Sequence, residues 1–379
     1  MTSPTDPFFK SPKVWSRRKH RLLRKYLTPF VAKVGSQSPL VYCVDGFAGA
    51  GVYEDGSLGS PLLMANLADE AASWSHSINL KIINVESDRE NFLSLSERTL
   101  QWTERGVIHN LHGEFGNLVP EILSEIGGTR ALFFIDPFGP TDLSFSSLRP
   151  IFERPQRVTE LIINFDLDGL RRIADTLYSK AQAPQTRKTV QTNIARVTEI
   201  LGSDDWKAQF SPSLSSEARE SVLLDVYTKN LRKFGYEVVC YPIRKALGDS
   251  PKYYLIYCTR HPDGVMLMND IVRDEEDELL RDSASKPGQL TLPSTEFDAV
   301  QQEILQRREL LKELVLADLR RVKKTTRGQI KRKYKFERFG EFHEKDYNSV
   351  VQEFVNIGLV TTQHGRKRFN DNEMLTYTG

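Results

Sequence analysis

The residues best placed for chemistry form the run Asp45-Gly46-Phe47-Ala48-Gly49-Ala50-Gly51. It follows an apolar stretch at 40–44 and precedes a helix-like segment at 60–72. A strand that ends in a glycine-rich turn sets bare backbone N–H groups beside a ligand, because a Cβ would block the approach and the turn calls for positive φ. Gly46, Gly49 and Gly51, with an acid closing the strand, fit the first β–α turn of a nucleotide-binding fold. The run is not a clean G-x-G-x-x-G. It also lacks the Gly-Lys-Ser/Thr ending of a P-loop, which disfavours ATP hydrolysis of that type.

Polar groups recur where later apolar runs end. Glu86 closes 80–85, the place from which an acid accepts hydrogen bonds from ribose hydroxyls. Its distance from the glycines exceeds the usual ~20 residues, in part through the insert at 53–59. Gly113-Glu114 follows 107–111, Asp136-Pro137-Phe138-Gly139 follows 131–135, and Asn164-Phe165-Asp166 ends 160–165. Such residues line the carboxyl edge of a sheet, where open α/β folds bind ligands; the competing reading makes the acids helix caps and the glycines plain turns. Asp166 and Asp168 either line the substrate side or cap the following helix, and Arg171 and Arg172 pair with them or face phosphate. The insert reads as a lid, as a solvated turn, or as a divalent-ion site of Glu54 and Asp55 with Asp136 or Asp45. No His or paired ligand spacing supports the ion, and no metal is assigned.

The elements that must hold these groups are legible as an alternation. Strand patterns at 40–44, 80–86, 107–111, 131–135, 160–165, 236–243 and 252–258 alternate with helical ones at 60–72, 88–105 and across 167–234. The fully apolar 131–135 is the pattern of a central parallel strand buried on both faces. The expected fold class is α/β, a doubly wound Rossmann-like sheet with helices on both faces. Ser60 is expected to cap the helix that Pro61 begins. An N-terminal helix, 13–34, places Leu22, Leu23, Tyr26, Leu27, Phe30 and Val31 on one side and Arg17, Arg18, Lys19, Arg21, Arg24 and Lys25 on the other. That basic side is either the solvated face of a packed helix or a contact for an anionic substrate.

The chain of 379 residues is long for one domain. An acidic run at 274–278 and a Ser/Pro/Gly-rich stretch place a linker at 283–297, between a first domain, 1–282, and a second, 298–379. Residues 307–338 contain thirteen Lys or Arg against four acids, although the whole chain carries a net charge of only +2. Three helical segments and a basic hairpin resemble a winged helix-turn-helix domain, with Lys323, Lys324, Arg327, Lys331, Arg332 and Lys333, and Arg366 and Lys367 at the wing tip, as candidate nucleic-acid contacts. A solvated surface or a protein contact is the alternative. Cys43, Cys240 and Cys258 have no metal-ligand spacing and read as buried thiols. With no apolar leader and no run of about eighteen apolar residues, a cytoplasmic chain with no membrane contact is expected.

The acid before the first glycine and the aromatic after it resemble motif I of S-adenosylmethionine (SAM)-dependent methyltransferases. Asp136-Pro137-Phe138-Gly139 sits where amino-methyltransferases carry Asp-Pro-Pro-Tyr, with Phe138 and Gly139 in place of the second Pro and the Tyr. Joined to Tyr53-Glu54-Asp55-Gly56-Ser57-Leu58-Gly59-Ser60-Pro61 and Ile163-Asn164-Phe165, these motifs make residues 13–275 similar to the three-Cys-motif partner (TcmP) family. The resemblance implies a methyltransferase-like fold with SAM as cofactor. Gly46, Gly49 and Gly51 would admit its methionine part, Glu86 would hold its ribose and Glu114 would lie near its adenine, with Asp45 and Phe47 also in the cofactor site. Asp136, Pro137, Phe138 and Asn164 would hold an acceptor amine on nucleic acid or on a nucleic-acid-associated target. It also implies a partner protein of iron–sulfur type carrying the three-Cys motif. Two other readings remain: a non-catalytic SAM-pocket or nucleic-acid-binding member of a two-component system of the phage-defence or mobile-element kind, and a metal-dependent nuclease using Asp45, Glu86 and Asp136.

Overall fold

The apolar runs form the strands β1 (Leu40–Asp45), β2 (Asn79–Glu86), β3 (Ile108–His112), β4 (Arg130–Ile135), β5 (Thr159–Phe165), β6 (Glu237–Ile243) and β7 (Tyr253–Thr259). The computed structural model describes residues 14–53, 55–155, 159–178, 184–246, 248–284, 293–363 and 370–379. The seven strands make one sheet in the order β3-β2-β1-β4-β5-β7-β6. β1 to β5 run parallel, and β7 is antiparallel to both β5 and β6. Ala131 to Ile135 of β4 are each at most 1% exposed, as a strand covered on both faces requires. The strand order reverses at β1, which pairs with β2 on one side and β4 on the other. Connections leave such a pair in opposite directions and open a crevice at the carboxyl ends.

The helices of this layer are α1 (Val14–Gly35), α2 (Ser60–Ala72), α3 (Arg89–Arg98), α4 (Leu100–Glu104), α5 (Phe115–Ile126), α6 (Phe145–Phe152), α7 (Leu167–Ala174), α8 (Pro184–Leu201), α9 (Trp206–Gln209) and α10 (Ser216–Arg232). Side-chain caps fix several of their starts. Asp88 accepts from the Asn91 N–H, Ser144 from Ser147, Asp166 from Gly169 and Ser215 from Ala218. The helix expected over 88–105 is divided at Thr99, whose hydroxyl donates to the Leu95 carbonyl and accepts from Asn110. Asp166 is therefore a cap, and Asp168 pairs with Arg171 and Arg172.

α1 lays Leu22, Leu23, Tyr26, Leu27, Phe30 and Val31 into the core. Its cations are not all on the other face: Arg18 and Lys19 are each 5% exposed, whereas Arg17 and Arg24 are exposed. A polar tether fixes the helix on the sheet. Glu160 of β5 accepts from Tyr26 of α1 and from Tyr257 (3.0 Å) and Thr259 (2.8 Å) of β7. Burial raises the Glu160 carboxyl above its ordinary value, and the three hydroxyls act against that shift.

The chain divides into two compact units, 1–245 with 250–261, and 246–249 with 262–379. The division falls at 261/262, ahead of residue 282, because the helix carrying the acidic run is built into the second unit. That helix, α11 (Pro262–Ala284), buries Val265, Met268, Val272 and Leu279, and its Asp277 pairs with Arg273 and Arg307. The remaining elements are α12 (Pro293–Val322), β8 (Lys324–Thr326), α13 (Arg327–Glu337), α14 (Glu344–Asn356), β9 (Val360–Thr362) and β10 (Met374–Tyr377). The last three strands form an antiparallel sheet, β8-β10-β9, over a core that includes Leu311, Leu319, Ile330, Tyr347, Phe354 and Leu375. Of the expected linker, 285–292 lie outside the described residues.

The Tyr26–Glu160 bond carries a test. Tyr26→Phe removes one donor from a sheltered carboxylate and should lower unfolding free energy by about 1–3 kcal/mol, read as a lower urea midpoint at unchanged slope.

Candidate functional site

β1 and β4 bring the glycine turn and the Asp136 segment side by side. Asp45 lies level with Phe134, and the Gly46 N–H donates to the Phe134 carbonyl at 2.9 Å. Gly49 and Gly51 have φ of +62° and +83°, in the left-handed region that favours glycine. A Cβ at Gly49 would meet no atom within 4 Å, so one side of the turn faces open space. The turn also folds over the end of β2. The Ala48 N–H donates to the Val85 carbonyl at 2.9 Å, and the Gly49 N–H to Glu86 Oε2 at 2.7 Å. Glu86 is 2% exposed and takes a further N–H from Asp88 at 2.7 Å. Burial raises its carboxyl, and these backbone donors oppose the rise.

Asp45 is fully buried. Its Oδ1 accepts from the Phe47 N–H at 3.2 Å, its carboxyl is hydrogen-bonded by the Ser60 side chain, and its Oδ2 has no partner among the described residues. Burial pushes this carboxyl up to about 7, with Asp136 and Glu86 adding repulsion. Ser60 is thus not the cap of α2. Gly59 is the N-cap, and the Ser60 hydroxyl serves Asp45 instead. The insert closes on itself as a small hairpin. Val52 bridges Leu58, the Gly59 N–H donates to the Gly51 carbonyl at 2.8 Å, and Asp55 accepts from the Ser57 N–H at 3.0 Å. A Cβ at Gly59 would stand 2.8 Å from that carbonyl oxygen. Glu54 lies outside the described residues.

A residue that sequence reasoning placed on the basic face of the helix completes the site. Lys19 Nζ lies 2.6 Å from both oxygens of Asp136 and 4.8 Å from the centre of the Tyr253 ring. The pair is sheltered, with side-chain exposures of 6% and 17%. The signal was present: Lys19 precedes Leu22, Leu23 and Tyr26 by three, four and seven residues and so falls on the apolar stripe. His20, next in sequence, is driven down to about 4 by burial, which outweighs the pull of Asp136, and is neutral near pH 7. These groups bound a cavity of about 70 Å³ with Gly49 to Tyr53, Pro137 and Phe138. Phe138 is 52% exposed at its edge.

The other expected residues are placed as follows. Asn164 is 1% exposed, with both amide atoms unpartnered among the described residues, and it does not line the cavity. Glu114 is exposed at the start of α5, away from that lining. In the second unit, Arg327 binds Asp371, Lys331 binds Glu344 and Asp371, and Lys333 binds Asp318. Lys323, Lys324 and Arg332 are exposed. Arg366 and Lys367 lie outside the described residues. No group of three or more potential ligands is placed to hold a metal, and no helix is long and apolar enough to cross a membrane, among the described residues.

The arrangement can do two things. The open side of the turn at Gly49 to Gly51 lines the cavity and can admit a small ligand such as SAM, whereas Glu86, with each oxygen taken by a backbone N–H and absent from the lining, braces the turn and does not offer itself to a ribose. The Asp136 carboxylate can hold an amine nitrogen on both oxygens, as it holds that of Lys19.

No family model matches the chain, and no curated protein matches it. Solved structures do. Cofactor-bound Rv0187 from MTB is 10% identical, with 64% of this chain and 80% of that one covered and a TM-score of 0.30. Geranyl diphosphate methyltransferase in complex with SAM is 12% identical, with 68% and 93% covered and a TM-score of 0.26. The hMettl16 catalytic domain, in complex with the MAT2A 3'UTR hairpin 6, is 12% identical, with 63% and 70% covered and a TM-score of 0.27. At these values no residue assignment rests on them.

The Asp45 shift sets a pH dependence. The folded state holds this proton more tightly than the unfolded chain, so the contribution to stability is largest at low pH and is lost as pH rises from about 4 to about 7. Asp45→Asn has no such proton. The difference in unfolding free energy between wild type and variant should change by about 2 kcal/mol between pH 5.5 and pH 8, against the wild type at the higher pH. Parallel urea melts at the two pH values measure it.

Proposed function

We propose that the chain is a SAM-dependent methyltransferase of the TcmP type acting on an amine of nucleic acid or of a nucleic-acid-associated target. The observation that carries this is Asp136, at the point where the strand order reverses, with both carboxylate oxygens turned to a nitrogen donor, the Lys19 ammonium at 2.6 Å, beside the glycine turn. The sheet order, with antiparallel β7 between β5 and β6, fits the Rossmann-like methyltransferase fold. SAM, when bound, supplies an electrophilic methyl group on sulfur. The open side of the turn, at Gly49 to Gly51, would receive the cofactor, and Glu86 braces the turn through the Gly49 N–H. Asp136 accepts hydrogen bonds from the acceptor amine and fixes the direction of its lone pair, while Phe138 offers a face for stacking. Catalysis of this kind consists chiefly of positioning and electrostatics.

The cavity of about 70 Å³ falls below the ~300–1,000 Å³ of small-molecule sites, so productive binding requires Lys19 to leave Asp136. The same closure favours a second reading, in which the pocket is retained without transfer and the biology rests on a partner of iron–sulfur type carrying the three-Cys motif. In either version we read α12, α13, α14 and the β8-β10-β9 sheet as a winged helix that meets nucleic acid or the partner. Its outward cations among the described residues include Lys323, Lys324 and Arg332.

Calorimetric titration with SAM tests the pocket: wild type should bind and Gly49→Trp should not. Asp136→Ala should keep SAM affinity and lose transfer of labelled methyl by about 10²-fold or more. Because that change strands a buried cation, Lys19→Met/Asp136→Ala, which removes both charges, repeats the measurement on a fold without the pair. Undiminished turnover in both variants ends the role given to Asp136. Binding of SAM with no transfer to DNA, RNA or protein favours the non-catalytic reading.

A further inference from the structure

A second cavity, of about 600 Å³, opens along the outward side of α1. Arg17, Arg21, Arg24 and Lys25 bound it from the helix, and Leu58 and Leu63 face them from the 52–59 hairpin and α2. Its lining contains no carboxylate among the described residues. Asp55 on the hairpin is close enough for Arg17 to lower its carboxyl, but Ser57 is the larger cause. His20 lines this cavity and the Asp136 cavity alike, so the two adjoin through one side chain. Residues 17, 21, 24 and 25 recur at helical spacing on one face. Residues 17 and 24 are separated by roughly 10 Å of helix axis, so the charges are spread along the groove rather than gathered at one point. Leu58, 39% exposed, adds an apolar wall, and Phe138, 52% exposed, stands at the edge of the neighbouring site.

We propose that this groove binds the phosphodiester backbone of a single-stranded nucleic acid and delivers one of its bases to the Asp136 site. A cationic groove beside exposed aromatic and apolar side chains is the combination that holds single strands, with phosphates on the charges and bases on the flat faces. A duplex is disfavoured because its bases are stacked and cannot reach a recessed carboxylate without extrusion. The delivery of a base rests on the amine-acceptor reading of Asp136. The groove itself stands on Arg17, Arg24 and the cavity they bound.

The test is fluorescence anisotropy with labelled single-stranded DNA and RNA 20-mers and the matching duplex, over a range of salt and without SAM. Wild type should bind single strands in preference to duplex, with affinity falling as salt rises. Arg17→Glu/Arg24→Glu should weaken binding by at least about tenfold and flatten the salt slope by about 1.4, since each single-strand phosphate contact carries about 0.7. Lys188→Glu/Lys229→Glu, on α8 and α10 of the first unit, should bind as wild type does. Both pairs are exposed, and unchanged urea midpoints verify the fold. Absent binding by wild type, unchanged binding by the α1 variant, equal affinity for duplex, or an equal loss in the Lys188/Lys229 variant would each overturn the proposal. SAM calorimetry on the α1 variant separates the two readings. A chain that binds strands through Arg17 and Arg24 but never binds SAM keeps the groove and loses the transferase.

Discussion

Three hydroxyls converge on Glu160, and through one of them the first helix is fastened to the sheet. Tyr26 reaches β5 from α1, while Tyr257 and Thr259 approach from β7. A sheltered carboxylate stripped of these donors would be costly, so the helix is held in a specific rotation and register as well as by its apolar stripe. Two helical turns earlier, that same rotation sets Lys19 over Asp136, His20 between the two cavities and Arg17 on the outer wall. The functional face of the first unit thus depends on a polar contact at some distance from it.

The carboxyl edge of the sheet carries three acids near one another, and each is stabilised by a different means. Asp136 has an ammonium on both oxygens. Glu86 has backbone N–H donors from Gly49 and Asp88. Asp45, fully buried with one oxygen unpartnered among the described residues, retains its proton up to about pH 7. Burial is the main cause of the rise at Asp45, and repulsion from Asp136 and Glu86 adds to it, so full ionisation of all three in so small a volume is opposed. The edge is consequently tuned as a set. A change in any one carboxylate alters the field at the others, and a cationic ligand entering here would meet an acid in each strand end it touched.

Much of this was legible in the sequence because it is local. The apolar run at 131–135, the strand-end acids and the glycine turn follow from residue type and period alone, and the sheet returned them at the ends of β1, β2 and β4. What was not legible depends on partners far along the chain. Lys19 was counted among basic residues because its neighbours are basic, and its pairing with Asp136 spans 117 positions. Ser60 has the type of a helix cap, but the buried Asp45 takes its hydroxyl. The density of Lys and Arg over 307–338 pointed to an open cationic surface, yet Lys331 and Lys335 are buried and meet Glu344, Asp371 and Asp270. The acidic run at 274–278 had the composition of a linker and proved to be helix, since Arg273 and Arg307 neutralise Asp277.

The Lys19–Asp136 pair also constrains how the site can open. Separating a sheltered ion pair leaves a charge with no partner, at a cost of about 3–5 kcal/mol when one member is simply removed. An incoming exocyclic amine is neutral and satisfies the carboxylate by hydrogen bonding alone, so it does not compensate the displaced ammonium. A phosphate does. The cationic groove along α1 adjoins the Asp136 cavity through His20, although Lys19 itself is not among the residues that line the groove. Opening driven by phosphate binding would expose Asp136 only when a strand is already in place, which couples access to the carboxylate to the class of molecule on which it acts.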